Sequence, residues 1–352
     1  SSPAVVAGDG VGRDGAVAEL VAVAEALGAT VFHQPMHDGV DFPGTHPLHA
    51  GALAPTHAAI REALAPHDVV LVVGCHAFMA HHYTPGPAIP PGTTVVQLDT
   101  DPAELGRTFA VACGLTGDLR STLDVLAMSL RGKVTGAQQR TAEAGRRHAA
   151  RRELARNEAL AAEPAAPMHP LAAALAVADG LPDDAVLVEE AITTGVLLRR
   201  LLRLDRPGSL VHTVGGGLGS GIGMAVGTAL GAPGTPVVAV LGDGCTLFGL
   251  QGLWNAARHQ VPVTFLVMNN GEYRTLKETL DGWGGRSAAT GRYLGLDLAP
   301  SRLDFTAAAA FFGVPATRAG HRDDLAEIVA KAAHRDGPLL VDVPVSAHVP
   351  PR

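Results

Sequence analysis

Short unbroken apolar runs alternate along the chain with segments whose apolar residues recur at helical spacing. Continuous runs suit strands covered on both faces, and the longer-period segments suit the helices that cover them. In the first part the pattern predicts a strand over residues 4–7, a glycine-rich turn, a helix over 16–27 and a strand about 30–33. A loop through 41–47, a helix near 55–65, apolar strands over 68–73 and 94–98, and a helix near 119–129 complete it. The second part repeats the scheme, with strands expected over 186–189, 237–241, 263–268 and 339–343. Its helices are expected over 194–204, from the glycine cluster 215–223 through 230, and over 247–259, 305–312 and 323–333. Such alternation is the mark of parallel sheets, so the expected fold class is α/β. Two doubly wound domains are expected, over residues 1–130 and 168–352, with a polar helical linker over 131–167. The chain enters its first strand almost at once and without Met, so an N-terminal truncation is expected.

Composition narrows this picture. Apolar residues make up 47% of the 352 and charged residues 17%, a globular balance, and the length suits two domains. The net charge of -7 argues against a nucleic-acid partner, which needs a clustered positive face. The linker is locally basic, with Arg140, Arg146, Arg147, Arg151, Arg152 and Arg156, but Glu143, Glu153, Glu158 and Glu163 interleave it. It reads as a solvated helix rather than an anion-binding face. No apolar run approaches the roughly 20 residues that span a bilayer, so no membrane partner is expected and cytoplasm is the default. Cys75, Cys113 and Cys245 are far apart and odd in number, which predicts neither a disulfide framework nor a cysteine zinc site.

Three glycine clusters are candidates for chemistry. Gly8-Asp9-Gly10-Val11-Gly12 follows the first strand, but the acid that a dinucleotide turn needs about 20 residues later is absent. It reads as a tight strand-to-helix turn. Gly215-Gly216-Gly217-Leu218-Gly219-Ser220-Gly221 is weak alone and gains meaning from the third cluster. That one, Gly242-Asp243-Gly244, closes a strand, and Asn269-Asn270 closes the next. Both ends lie at the carboxyl edge of a parallel sheet, where open α/β sheets bind ligands. Asp243 offers a charged oxygen and Asn270 a neutral one, hard donors suited to Mg2+. The glycines let backbone N–H groups approach a diphosphate, and a helix opening near Thr246 adds its positive end.

Gly242-Asp243-Gly244 with Asn269-Asn270 resembles the signature of thiamine-diphosphate enzymes. The likeness extends along nearly the whole chain to their benzoylformate decarboxylase-like branch, through residues 45–51, 67–74, 82–86, 101–102, 216–219, 239–244 and 268–273. It implies the middle and diphosphate-binding domains of a three-domain enzyme, without the N-terminal pyrimidine-binding domain. On that resemblance Asp243, Asn270 and the carbonyl of Glu272 would bind Mg2+. Gly242, Gly244, Cys245 and Tyr273 would belong to the cofactor site, with the N–H groups of Gly244 and Cys245 on the diphosphate. The Gly216 carbonyl would accept the 4′-amino group beside Gly217, and Leu218 would wedge under the bent cofactor. Residues 189–194 would lie over the diphosphate, although the hydroxyls expected at Ala191 and Ile192 are missing. His81 matches a middle-domain histidine that reaches the active site.

His212, Thr275 and Thr279 would line the substrate pocket. A histidine and a hydroxyl at His212 and Thr279, in place of aromatic rings, ask for polar partners and argue against benzoylformate itself. The implied activity is decarboxylation of a 2-oxo acid by a homo-oligomer. The pyrimidine domain would come in cis or from a separate chain, so this chain alone is expected to be catalytically incomplete. An acetolactate-synthase-like carboligase and a non-catalytic cofactor-binding subunit are the alternatives. A nicotinamide-dependent dehydrogenase ranks behind them, because the ribose-binding acid is missing.

Overall fold

Valines and alanines at two-residue alternation build both faces of the first sheet. The computed structural model describes residues 1–76, 78, 80, 83–162, 166–298 and 303–347. Its first strands are β1 (Pro3–Ala7), β2 (Thr30–His33), β3 (His49–Ala52), β4 (Val69–Val73), β5 (Thr94–Asp99) and β6 (Cys113–Thr116). They form one sheet in the order β3-β2-β1-β4-β5-β6, every pair parallel. Val5, Ala7, Leu71 and Val73 face helices Val17–Leu27 and Leu119–Leu130, while Ala4, Val6, Val70 and Val72 face helix His57–Leu64. Each such valine or leucine contributes about 1.5–3 kcal/mol by leaving water. The chain runs outward from β1 to β3 and then returns to β4, so the winding reverses between β1 and β4. Gly8 caps a short helix, Asp9–Arg13, as the strand-to-helix reading of that cluster expects.

The second sheet contains β7 (Val186–Glu190), β8 (Leu210–His212), β9 (Val237–Gly242), β10 (Val263–Asn269), β11 (Ala316–Arg318) and β12 (Leu339–Pro344). Their order is β11-β12-β10-β9-β7-β8, and the pairs from β11 through β7 are parallel. One face packs Val188, Ala239, Leu241, Phe265 and Val267 on helices Ser220–Gly231, Gly252–His259 and Phe305–Phe311. Helix Pro170–Gly180 is buried over most of its length and packs against Arg322–Ala330. The contact is close enough that a Cβ on Gly180 would come 2.4 Å from the Ala326 carbonyl oxygen.

The chain divides into two compact units, Ser1–Glu153 with Arg203–Leu210, and Leu154–Leu202 with Val211–Arg352. The polar helix Ala137–Ala161 therefore contributes to both. Three of its arginines are engaged by partners within their own units. Arg140 and Arg151 donate to the carbonyls of Leu27 and His49, and Arg156 pairs with Asp179 at 2.7 Å. The helix expected over 247–259 starts earlier and breaks, as Asp243–Gly249 and Gly252–His259. Among the described residues no helix is long and apolar enough to cross a membrane.

Candidate active site

The parallel register sets the carboxyl ends of β7, β9 and β10 side by side: Glu190 pairs with Leu241, and Gly242 with Met268. Asp243 follows β9 directly and opens the helix Asp243–Gly249, earlier than the expected opening near Thr246. It is 3% exposed, and its carboxylate accepts the N–H of Gly244 at 2.8 Å and of Gly271 at 2.6 Å. Burial pushes its pKa up to about 6 against those two bonds. Gly271 sits at φ 76, a left-handed turn that favours glycine and carries the chain from Asn270 to Glu272. Asn270 Oδ1 accepts the N–H of Glu272 at 2.9 Å. Asn269 turns the other way, donating to Leu303 O and to Asp342 Oδ1, both at 3.0 Å. Of the adjacent asparagines, only Asn270 is left on the Asp243 side.

Gly244 is a space requirement. A Cβ there would lie 2.5 Å from Cε1 of Tyr273, so the ring closes over the turn only because the side chain is absent. Burial, with Glu190 next, pushes the Cys245 thiol up to about 12. Cys245 thus stays a neutral thiol and can offer a ligand its backbone N–H. The Glu272 carboxylate pairs with the buried Lys277, which also bonds Asp297. Helix Arg274–Trp283 is anchored there and carries Thr275 and Thr279. Thr275 Oγ1 lies 3.1 Å from Thr193 Oγ1, and Thr279 Oγ1 donates to Thr275 O at 2.9 Å.

Two carboxylates at the end of β7 support the site, where the sequence suggests only a strand end and a covering loop. Glu190 accepts the N–H groups of Gly219, Ser220 and Gly221 at 2.7, 3.1 and 2.8 Å. It thereby fixes the start of helix Ser220–Gly231, directly after Gly216, Gly217 and the 39%-exposed Leu218. Glu189 pairs with Arg199 and lies 3.3 Å from His212 Nδ1, which also reaches Glu189 O at 2.9 Å. His212 Nε2 is buried and has no hydrogen-bond partner among the described residues. Two successive acids at the end of an apolar strand were the available signal. Ala191 caps the helix Ile192–Arg199, and Ile192 is exposed at its first position. His81 lies outside the described residues.

A buried carboxylate held only by amides, a neutral oxygen donor beside it and open glycine turns form a set that could hold a hard divalent cation and a phosphate group. Comparison with known proteins agrees with the fold. Residues 1–126 match the model "Thiamine pyrophosphate enzyme, central domain", and residues 193–343 match "Thiamine pyrophosphate enzyme, C-terminal TPP binding domain". Benzoylformate decarboxylase of Pseudomonas aeruginosa is 32% identical over 353 residues, covering 99% of this chain and 62% of its own length. The solved thiamine diphosphate-dependent 4-hydroxybenzoylformate decarboxylase of Rhodococcus jostii RHA1 superposes with a TM-score of 0.82 at 28% identity, covering 98% of this chain and 62% of that one. An acetolactate synthase of Mycobacterium bovis is 27% identical, covering 98% of this chain and 56% of its own. The chain thus spans less than two thirds of the length of these relatives. With two family models covering both units and benzoylformate decarboxylase-like proteins among its relatives, the chain belongs to the thiamine pyrophosphate enzymes and carries their central and C-terminal domains.

Proposed function

We propose that these residues form the diphosphate- and Mg2+-holding part of a thiamine-diphosphate-dependent 2-oxo-acid decarboxylase. The observation that carries the reading is Asp243, buried between the N–H groups of Gly244 and Gly271 beside Asn270. Asp243, Asn270 and the Glu272 carbonyl would hold the metal. Gly242, Gly244 and Cys245 would present backbone to the diphosphate under the Tyr273 ring, with Ala191 and Ile192 at the neighbouring helix start. Gly216 and Gly217 would flank the aminopyrimidine, and Leu218 would support the cofactor from beneath. When bound, thiamine diphosphate supplies a nucleophilic carbon and a sink for the electrons left by departing CO2. The protein's share is to hold, orient and exclude water.

His212 gives the substrate end its character. Its buried Nε2 suits a substrate that brings a polar group, and Thr275 and Thr279 lie on the helix joined to Thr193. His81 remains a candidate on its sequence position. The pyrimidine domain, in cis or in another chain, would complete the site within a cytoplasmic homo-oligomer. A carboligase is the second reading, favoured by the likeness to acetolactate synthase. CO2 and product analysis of the full-length protein, with and without an aldehyde acceptor, separates the two.

The metal site is tested first by calorimetric titration of the chain with thiamine diphosphate and Mg2+. Asp243→Ala is expected to abolish Mg2+-dependent affinity, because it removes the charged ligand. Asn270→Ala is expected to weaken it less, since water replaces a neutral oxygen in part. Unchanged binding in Asp243→Ala would falsify the assignment.

A further inference from the structure

The turn that follows β10 has two sides. On the inner side its amides are directed at the site: Gly271 N–H donates to Asp243 at 2.6 Å and Glu272 N–H to Asn270 Oδ1 at 2.9 Å. On the outer side residues 271–273 run antiparallel to residues 296–298. Tyr273 N–H donates to Leu296 O at 2.8 Å, and Leu298 N–H donates to Gly271 O at 2.9 Å. Glu272 and Asp297 face each other between those two bonds as an isolated antiparallel bridge.

That register sets two acids directly opposite one another. A pair flanked by its hydrogen bonds in this way is the closer kind, with Cα atoms about 4.5 Å apart. Like charges so placed push the two segments apart. Lys277 meets both acids, its Nζ donating to Glu272 Oε2 and to Asp297 Oδ1. The lysine is 7% exposed and the Glu272 side chain 11%, so these charges meet largely out of water, where they act strongly. Lys277 stands one turn into helix Arg274–Trp283, and its own N–H reaches back to Tyr273 O at 3.3 Å.

A neighbouring cation does not take its place. Arg274 lies 3.7 Å from Glu272 Oε1, beyond hydrogen-bond reach, and donates to Glu278 at 3.2 Å. Glu272 Oε1 is buried and has no hydrogen-bond partner among the described residues. Among those residues Lys277 alone donates to the Glu272 carboxylate.

We infer that Lys277 is a positioning residue of the metal site: it clamps Glu272 to Asp297 and so aims the Glu272 carbonyl. The inference rests on the metal reading proposed above, in which Glu272 contributes only its backbone oxygen. A backbone ligand has no side-chain torsion to adjust, so its direction is set by whatever holds the turn. Asp243 and Asn270 hold the turn from within, and the Lys277 clamp holds it from outside without touching the ion. Groups that orient a metal's ligands in this way are worth ~10–100-fold in affinity.

The probe is Mn2+ in place of Mg2+, added with thiamine diphosphate to the 352-residue chain and followed by water-proton relaxation. Relaxation rises when the slowly tumbling protein holds the ion, and excess Mg2+ should reverse the rise. Lys277→Met should weaken Mn2+ binding by ~10–100-fold, although it removes no ligand. Glu272→Ala should do the same, although the backbone carbonyl remains. The double variant should bind no more weakly than the weaker single one, because both changes break one tie. Lys277→Arg keeps the charge and should recover most of the affinity. Circular dichroism checks the fold, and Glu272→Ala, which leaves Lys277 paired with Asp297, stays informative if Lys277→Met does not fold. Asp243→Ala separates the clamp from the site it serves. If Asp243→Ala abolishes Mn2+ binding while Lys277→Met or Glu272→Ala, folded, binds as wild type does, the clamp is wrong and the metal site stands. If Asp243→Ala binds as wild type does, the metal site is misplaced and the clamp falls with it.

Discussion

Glu189 and Asp243 are both almost wholly out of water, yet burial wins at one and loses at the other. Among the described residues Asp243 has amide N–H partners and no opposite charge, and it is pushed up to about 6. Burial works against Glu189 too, but the Arg199 charge and the His212 bond overcome it and hold the group down at about 2. A charge partner in a dry site outweighs neutral dipoles. The drop from an ordinary 4.5 to about 2 corresponds to about 3 kcal/mol at 1.36 kcal/mol per pKa unit. Because the folded pKa is depressed, this stability is fully present above pH 4.5 and is lost as pH falls through about 2. Glu189→Gln is therefore expected to destabilise the second unit by about 3 kcal/mol at neutral pH. The gap to wild type should narrow below pH 4.5. Trp254 and Trp283 both lie in that unit, so tryptophan fluorescence during urea unfolding at several pH values reads the comparison. A gap of constant size from pH 7 to pH 3 would rule out the ion pair as its source.

At the scale of elements, Glu190 joins a strand end to a helix start. Three N–H groups of helix Ser220–Gly231 that would otherwise lack partners converge on its carboxylate, a long-range cap with charge of the sign the helix favours. Glu190→Ala should cost about 1–2 kcal/mol, in the range of a lost helix cap, and speed amide exchange at residues 219–221. Gly221→Ala should act alike, since its Cβ would lie 2.5 Å from Leu241 Cδ2 and 2.7 Å from Glu190 Oε2. Unchanged exchange at those amides in Glu190→Ala removes the cap from the account. Such a link is hard to read in sequence, because its partners are 29 to 31 positions apart and one side is backbone. The central strands β4, β9 and β10 are legible, since residues buried on both faces must form continuous apolar runs. The strands β3, β6 and β11 are not: they are short, lie at sheet edges and hold no fully buried residue. Asp243 and Asn270 are legible for a related reason, because a strand end fixes where the next polar residue stands. Glu189, Arg199 and His212 come together only through the pairing of β7 and β8 and the turn of a helix, which no local spacing announces.

For the whole molecule, the two units have separate cores, and a ligand held by the second should be felt there alone. Val5, Leu71 and Leu20 belong to a core of the first unit, and Val188, Leu241 and Phe265 to that of the second. The backbone leaves the first unit within helix Ala137–Ala161 and returns to it for Arg203–Leu210, so the units are also tied through the chain. A ligand stabilises the state that binds it by about 2.7 kcal/mol at a hundred times its dissociation constant. That gain slows amide exchange only where opening breaks the site. With thiamine diphosphate and Mg2+, exchange should slow at the ends of β7, β9 and β10 and at residues 215–221, and stay unchanged in β1, β2 and the loop after it. Hydrogen-exchange mass spectrometry with and without the cofactor and Mg2+ decides the matter. Equal protection of both units by the cofactor would mean that they open as one cooperative body, and separate cores would then be a poor guide to how this chain unfolds.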